Sequence, residues 1–277
     1  MASAQPLDIG VNTMSFMWTT PAREALELLA RKGYTRFEVM AQRPHFDAWM
    51  SPEEARAFAR FLRDAGLTVE TINMPSLDQN LASGTPQMRD YTVRLFEQLI
   101  GLAETIGASG VIVVTGRVNP LIAPPRQELE GWFEGAFERL LPAAERSGVQ
   151  LLLENIPMGT YPRAEQLIAF ADRIDHPLVN ICYDIANAHF IGEDAAAGVR
   201  AVARRLGIVH LSDTNRHAWK HDPVGEGNCD FAGFADALRE VGYAQTSMLE
   251  LVCESPLERI VESHRKVAAW GWAPLHA

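Results

Sequence analysis

Val179–Asn187, VNICYDIAN, and Ile208–Asp213, IVHLSD, are the two stretches on which the reading of this chain turns. Each is a short apolar run of the kind buried on both faces of a parallel sheet. Each gives out at a potential metal ligand, Asp184 in one and His210 in the other. Leu151–Leu153 runs into Glu154 and Met248–Leu249 runs into Glu250 in the same way. If these strands lie side by side, the four polar side chains meet at one end of the sheet, where they can surround a divalent ion.

The pattern continues outward in both directions. Leu7–Thr13, Phe37–Met40, Leu67–Asn73, Val111–Thr115 and Leu151–Ile156 read as strands upstream, and Ser247–Val252 as the last one downstream. Helices are expected at Pro21–Lys32, with proline in the first turn and Gly33 past the end, and at 51–66, opened by Ser51-Pro52-Glu53-Glu54 and closed by Gly66. Others fall at Pro86–Gly107, Gln127–Ser147, Ala164–Arg173, Asp194–Leu206, Phe231–Val241 and Pro256–Trp270. Eight strands alternating with eight helices in 277 residues, without a linker or low-complexity tract, predict a single (β/α)8 TIM barrel over 1–277. An open doubly wound sheet is the alternative. The turn after the first strand, Asn12-Thr13-Met14-Ser15-Phe16, lacks the glycine-rich phosphate loop such a sheet usually carries.

Composition narrows the function classes. Hydrophobic residues make up 47% and charged residues 22%, an ordinary globular balance. The opening MASAQPLDIG has no basic stretch followed by an apolar one, and no apolar run approaches the ~20 residues of a membrane span; a cytoplasmic protein without a membrane partner is expected. A net charge of −10 disfavours nucleic acid as a partner. Cys182, Cys229 and Cys253 lack CxxC spacing and are read as reduced, structural residues.

In a TIM barrel, chemistry sits at the C-terminal ends of the strands, so a polar residue that ends an apolar strand is a site candidate. Glu154, Asp184, His210 and Glu250 all satisfy this. Three carboxylates and an imidazole suit one divalent ion, Mn²⁺, Mg²⁺ or Co²⁺, with Zn²⁺ also compatible.

The strand ends LLLEN, ICYDIANAH, VHLSD and MLEL, with the later HDPVGEG, resemble the xylose-isomerase-like barrel superfamily of sugar isomerases and epimerases. The resemblance spans nearly the whole chain, and the order Glu, Asp, His, Glu on the last four strands is its most specific part. It implies Glu154, Asp184, His210 and Glu250 as ligands of one catalytic metal. By analogy with the ketose 3-epimerases of that superfamily, Glu154 and Glu250 are also the acid–base pair. More distant members include dehydratases and the endonuclease IV class of DNA-repair enzymes. The latter add histidines after strands three and four, where this chain has Asn73-Met74-Pro75 and Thr115-Gly116, and only His221 matches their motif after strand seven. Many members also carry histidine three residues after the metal aspartate. Here that position is Asn187, with His189 two residues further on, and either residue is a candidate for its place.

Ser212–Asp230 is the longest surplus between site residues and is expected to overhang the catalytic face. Arg216 and His221 are read there as substrate hydrogen-bond donors and Trp219 as a shield against water, with a solvated charged loop as the bland alternative. Phe16, Trp18, His45, Phe46 and Trp49 are candidate walls of the pocket, Trp18 among the substrate-binding residues, although aromatics in such loops are as often packing. Asn155 reads as an orienting residue or a turn residue. Trp270-Gly271-Trp272 reads as a seal of the barrel or a subunit contact, which leaves a homo-oligomer open. Cys253-Glu254-Ser255-Pro256, without glycine and with a repelling acid, disfavours a phosphate between the last two loops, while Lys220 and Arg216 could accept a carboxylate.

The expected activity is a divalent-metal-dependent isomerase or epimerase that acts through an enediolate on a small, unphosphorylated ketose or related hydroxy-ketone. One glutamate removes the carbon-bound proton, and His221 is the alternative proton carrier. A dehydratase of a keto-polyol on the same metal is the runner-up, and a non-catalytic metal- or sugar-binding barrel comes third.

Overall fold

The computed structural model describes residues 5–275 and contains eight parallel strands closed into a barrel in sequence order. The strands are β1 Ile9–Asn12, β2 Arg36–Met40, β3 Thr68–Asn73, β4 Gly110–Val114, β5 Gln150–Glu154, β6 Val179–Asp184, β7 Leu206–Leu211 and β8 Ser247–Leu249. The barrel closes where β1 pairs with β8, Gly10 opposite Met248 and Val11 opposite Leu249. All strands are parallel, so all their C-terminal ends emerge on one face.

Helices fill the crossovers: α1 Ala22–Ala30, α2 Pro52–Ala65, α3 Pro86–Ile106, α4 Arg126–Glu138, α5 Leu141–Ser147, α6 Ala164–Ile174, α7 Ile185–Phe190, α8 Ala195–Val202, α9 Phe231–Glu240 and α10 Pro256–Ala268. The start of α2 follows its sequence signal: Glu54 N–H donates to Ser51 Oγ at 3.2 Å while Glu54 Oε2 accepts from Ser51 N–H at 2.7 Å, and Gly66 ends the helix in the left-handed conformation at φ 65°. No helix among the described residues is long and apolar enough to cross a membrane.

Two elements depart from the expected pattern. The helix expected over Gln127–Ser147 is two helices. It breaks at Arg139–Leu140 because Pro142 has no N–H to donate to the Glu138 carbonyl and its ring crowds that position. The strand read over Val179–Asn187 stops at Asp184, which caps a further short helix, α7: Asp184 Oδ1 accepts from Asn187 N–H at 2.5 Å.

Strand period sorts the core into two layers. Outward-facing residues such as Leu151, Leu153, Ile181 and Val209 join the large core under the helices, where Phe133, Phe137, Tyr161 and Phe170 pack ring against ring at 5.1–5.8 Å. Inward-facing Ile112, Leu152, Cys182, Ile208 and Met248 form a separate small core inside the barrel. Trp272 is buried below it, donating from Nε1 to Ser247 Oγ at 2.9 Å, so it seals the barrel at the strands' N-terminal end, whereas Trp270 is half exposed against Phe231.

Candidate metal centre and active-site cavity

Leu152, Cys182, Ile208 and Met248 point into the barrel, so the residues two positions further along each strand do so as well, one layer nearer the catalytic face. Those residues are Glu154, Asp184, His210 and Glu250. Their ligand atoms all lie within 4.8 Å of one another, and all four side chains are buried. His210 Nδ1 is 3.0 Å from Glu250 Oε2 and 3.4 Å from Glu154 Oε1. Glu154, Cys182 and His210 form a second such grouping. Burial pushes the Cys182 thiol well up, which keeps it protonated within the inner apolar layer.

The other half of the barrel reaches the same point. Glu38 is fully buried in the middle of β2, with its carboxylate 3.0 Å from His210 Nε2. It accepts from Thr71 Oγ1 at 2.5 Å, from Asn73 Nδ2 at 3.0 Å and from Asn12 Nδ2. Asn12 and Asn73 also donate to Glu250 Oε1, at 2.8 and 3.2 Å. A carboxylate taking this many hydrogen bonds is an acceptor, so the proton between Glu38 and His210 belongs to Nε2. His210 Nδ1 then faces the carboxylates of Glu154 and Glu250, and its lone pair becomes available to a cation when its proton leaves.

That arrangement passes a direct test of fit for a cation. Among the described residues, the buried side-chain atoms outside hydrogen-bond geometry are Thr160 Oγ1, Asp184 Oδ2, His210 Nδ1 and Glu250 Oε2, the last two in ion-pair contact at 3.0 Å. Three of these four atoms belong to the candidate donor set, and buried polar atoms normally have partners. Asp184 shows the division of labour within one side chain: Oδ1 caps α7 and Oδ2 is left for the centre. Its backbone is held by Asn155, which accepts from Asp184 N–H at 2.7 Å and donates to Asp184 O at 3.0 Å, giving Asn155 the orienting geometry.

The carboxylates differ electrostatically. Burial raises Glu154 to about 7, helped by the charges of Glu250 and Asp184 and opposed by His210. Asp184 is also raised by burial. Burial would raise Glu250 too, but His210 and His221 outweigh it and hold Glu250 well below the usual carboxylate range. Burial opposes charge on His221, whose Nδ1 is 3.3 Å from Glu250, yet the carboxylates of Asp184 and Glu250 lift it to about 9. For His210, burial is likewise outweighed by Cys182, Glu250 and Glu38, and its value is well above that of a free imidazole.

Over this centre lies a cavity of about 240 Å³. Of the residues singled out in the sequence, Glu154, Glu250, Asn187, Trp219 and His221 line it, with Asp184 and His210 beneath. Trp219 Nε1 donates to Asn187 Oδ1 at 2.7 Å, and Asn187 Nδ2 reaches Glu154 Oε1 at 3.4 Å, which ties the loop after β7 to the centre. That loop is organised by Asp213, whose carboxylate accepts from Thr214, Gly225 and Cys229 N–H at 2.8–3.0 Å. Gly227 passes so close that a Cβ would sit 2.1 Å from Thr214 O.

Three expected substrate contacts fall outside the cavity. Trp18 is 56% exposed on the surface, His189 is turned away to Asn228 at 2.7 Å, and Arg216 is exposed beside Gly192. Phe16, His45 and Phe46 are buried packing residues and Trp49 is exposed, so the aromatic wall is replaced by Met14 and Met17. Glu38, Asn12, Asn73, Met74 and Arg117 are site residues that the sequence reading missed. A charge inside the otherwise apolar FEVM segment and polar ends on β1 and β3 were the available signals.

A profile of the xylose isomerase-like TIM barrel family matches residues 26–270, and the chain belongs to that family. An L-ribulose 3-epimerase of Mesorhizobium japonicum is 26% identical over 276 residues, 95% of this chain and 86% of its own. Among solved structures, a D-tagatose 3-epimerase-like protein superposes with a TM-score of 0.83 at 22% identity, covering 95% of this chain and 97% of its own. The IOLI protein, solved with a bound zinc atom, gives 0.79 at 16% identity over 96% of this chain and 100% of its own.

Proposed function

We propose that this protein is a divalent-metal-dependent epimerase or isomerase of small sugar-type hydroxy-ketones. The observation that carries the reading is the pairing of Glu154 and Glu250. Both line one cavity and both flank His210 Nδ1, yet their surroundings push their proton affinities in opposite directions. The similarity to an L-ribulose 3-epimerase over nearly the whole chain supports the same class.

Glu154, Asp184, His210 and Glu250 would hold one cation, and their oxygen and nitrogen donors suit Mn²⁺, Mg²⁺ or Co²⁺, with Zn²⁺ compatible. When bound, such an ion polarises a substrate carbonyl and makes the neighbouring C–H more acidic. Glu154 and Glu250 serve as the acid–base pair: one, ionised, takes that proton and the other, protonated, returns one, with the roles exchanged in the reverse direction. Return to the opposite face of the same carbon is epimerisation, and return to the neighbouring carbon is aldose–ketose isomerisation. Asn187 orients Glu154, and Trp219 covers the cavity against water. His221, beside Glu250, is a second proton carrier.

The test is proton NMR of ketoses and related hydroxy-ketones incubated with metal-loaded protein in D₂O, with a chelated control. Deuterium entering next to the carbonyl together with a new stereoisomer or positional isomer is the expected result. Loss of water would redirect the site to elimination, and metal-independent exchange would remove the cation from the reading.

A further inference from the structure

The cavity is lined by the acidic centre with Asn73, Asn187 and His221, by the apolar side chains of Met14, Met17, Met74, Pro75, Leu77 and Ile156, and by Ser76 and the solvent-exposed Arg117 in the loop after β4. We infer that Arg117 binds an anionic group, carboxylate or phosphate, at the end of the substrate remote from the reacting carbonyl, and so selects acidic hydroxy-ketones over neutral ones. This rests on the hydroxy-ketone reading and adds the charge of the substrate's far end.

Arg117 is held by a built turn. Asn80 accepts from Arg117 N–H and donates to Arg117 O, both at 2.9 Å. Gly116 before it has φ 83°, and a Cβ there would lie 2.3 Å from Ala82 Cβ, so the loop runs against its neighbour without slack. Nη1 donates to Ser76 O at 3.3 Å and Leu77 O at 3.1 Å. That use of one nitrogen orients the guanidinium and leaves Nε and Nη2, the edge suited to a two-point bond with carboxylate or phosphate. No acid within ion-pair distance neutralises Arg117 among the described residues, whereas Lys220 is paired with Asp222 at 3.6 Å; Arg216 is exposed, as Arg117 is, but does not line the cavity.

The walls point the same way. A hexose with hydroxyls along its whole length would set several of them against methionine, leucine and isoleucine side chains that offer no hydrogen-bond partner. A short hydroxy-ketone with a charged end satisfies the acidic centre and Arg117 and leaves its carbons to the apolar side chains. The volume of about 240 Å³ corresponds to roughly eight waters, enough for a short chain. The absence of a phosphate-binding sequence between the last two loops does not bear on this position, which belongs to the loop after β4.

Two matched sets of probes test the inference by calorimetry on the metal-loaded full chain: hydroxyacetone, hydroxypyruvate and dihydroxyacetone phosphate, and fructose, fructuronate and fructose 6-phosphate. In at least one set an acidic member is expected to bind at least about tenfold tighter than its neutral counterpart. Arg117→Gln should erase that advantage, with neutral binding and metal content unchanged and partial rescue in Arg117→Lys. Whichever anion gains identifies carboxylate or phosphate. Neutral members binding as tightly in both sets, no binding by any probe, or an advantage that survives Arg117→Gln overturns the inference. The outcomes separate from those of the proposed activity: an Arg117-dependent anion preference without deuterium exchange refutes the epimerase reading alone, and exchange without anion preference refutes this one alone.

Discussion

The two halves of the barrel mouth are built on opposite principles. Glu154, Asp184, His210 and Glu250, at the ends of β5 to β8, converge with three buried atoms outside hydrogen-bond geometry. Asn12, Glu38, Thr71 and Asn73, on β1 to β3, converge on the same point with their side chains bonded to one another and to the first group. One half offers lone pairs and the other holds those lone pairs in place. A site of buried acids needs both, because unpaired carboxylates in a dry interior either protonate or turn away unless neighbours fix them.

The largest expected effect comes from the first half. Glu154→Gln should lower turnover by about 10²–10⁴-fold, the usual span for a lost acid–base group, with an unchanged circular dichroism spectrum. Steady-state kinetics near the wild-type level would end the acid–base assignment and with it the distinction between the halves.

Glu38→Gln is the matching change in the second half. It should weaken divalent-metal affinity about 10–100-fold by titration calorimetry, since the group fixing the His210 tautomer is weakened. Unaltered affinity would reduce the β1–β3 half to filler.

The pH dependence sharpens the same contrast. Glu154 is raised to about 7 and must ionise to hold a cation, so metal affinity should fall below about pH 7, by up to about tenfold per unit. The sign for stability is opposite. A carboxyl whose folded value exceeds its unfolded one favours the folded state while protonated, so metal-free protein should lose melting temperature as pH rises through 7 and regain it on metal addition. A flat profile in both measurements would place Glu154 outside the centre.

The smallest effect lies at the junction with the overhanging loop. Trp219→Phe removes the hydrogen bond to Asn187 and should cost about 0.5–1.5 kcal/mol, roughly two- to twelvefold in kcat/KM, without altering metal affinity. A loss of metal would show that the loop belongs to the holding half instead.

Much of the β5–β8 half was legible because it obeys a local rule: an apolar strand of period two that ends in a polar residue. Asn12 and Asn73 end β1 and β3 in the same way, but an amide is as common in a turn as in a site. Glu38 was obscured for a different reason. It lies inside its strand, where an acid reads as an exception to the pattern until a partner for it is known. Trp18 and Arg216 failed in the reverse direction, since a loop's composition does not say which way its side chains face. The α7 helix was hidden because Ile185 and Ala186 continue the apolar run of β6, and only the Asp184 cap ends the strand.

The sequence by itself determined the alternation of strand and helix, the inward face of each strand and the order of Glu154, Asp184, His210 and Glu250, because period and polarity are properties of neighbouring residues. Only the tertiary structure decided that Glu38 backs His210, that Asn12 steadies Glu250, and that Arg117 lines the same cavity. Those pairings join residues far apart in the chain. They exist because barrel closure brings the strand ends within a few ångströms, where charge and hydrogen bonding act through space and are independent of separation along the chain.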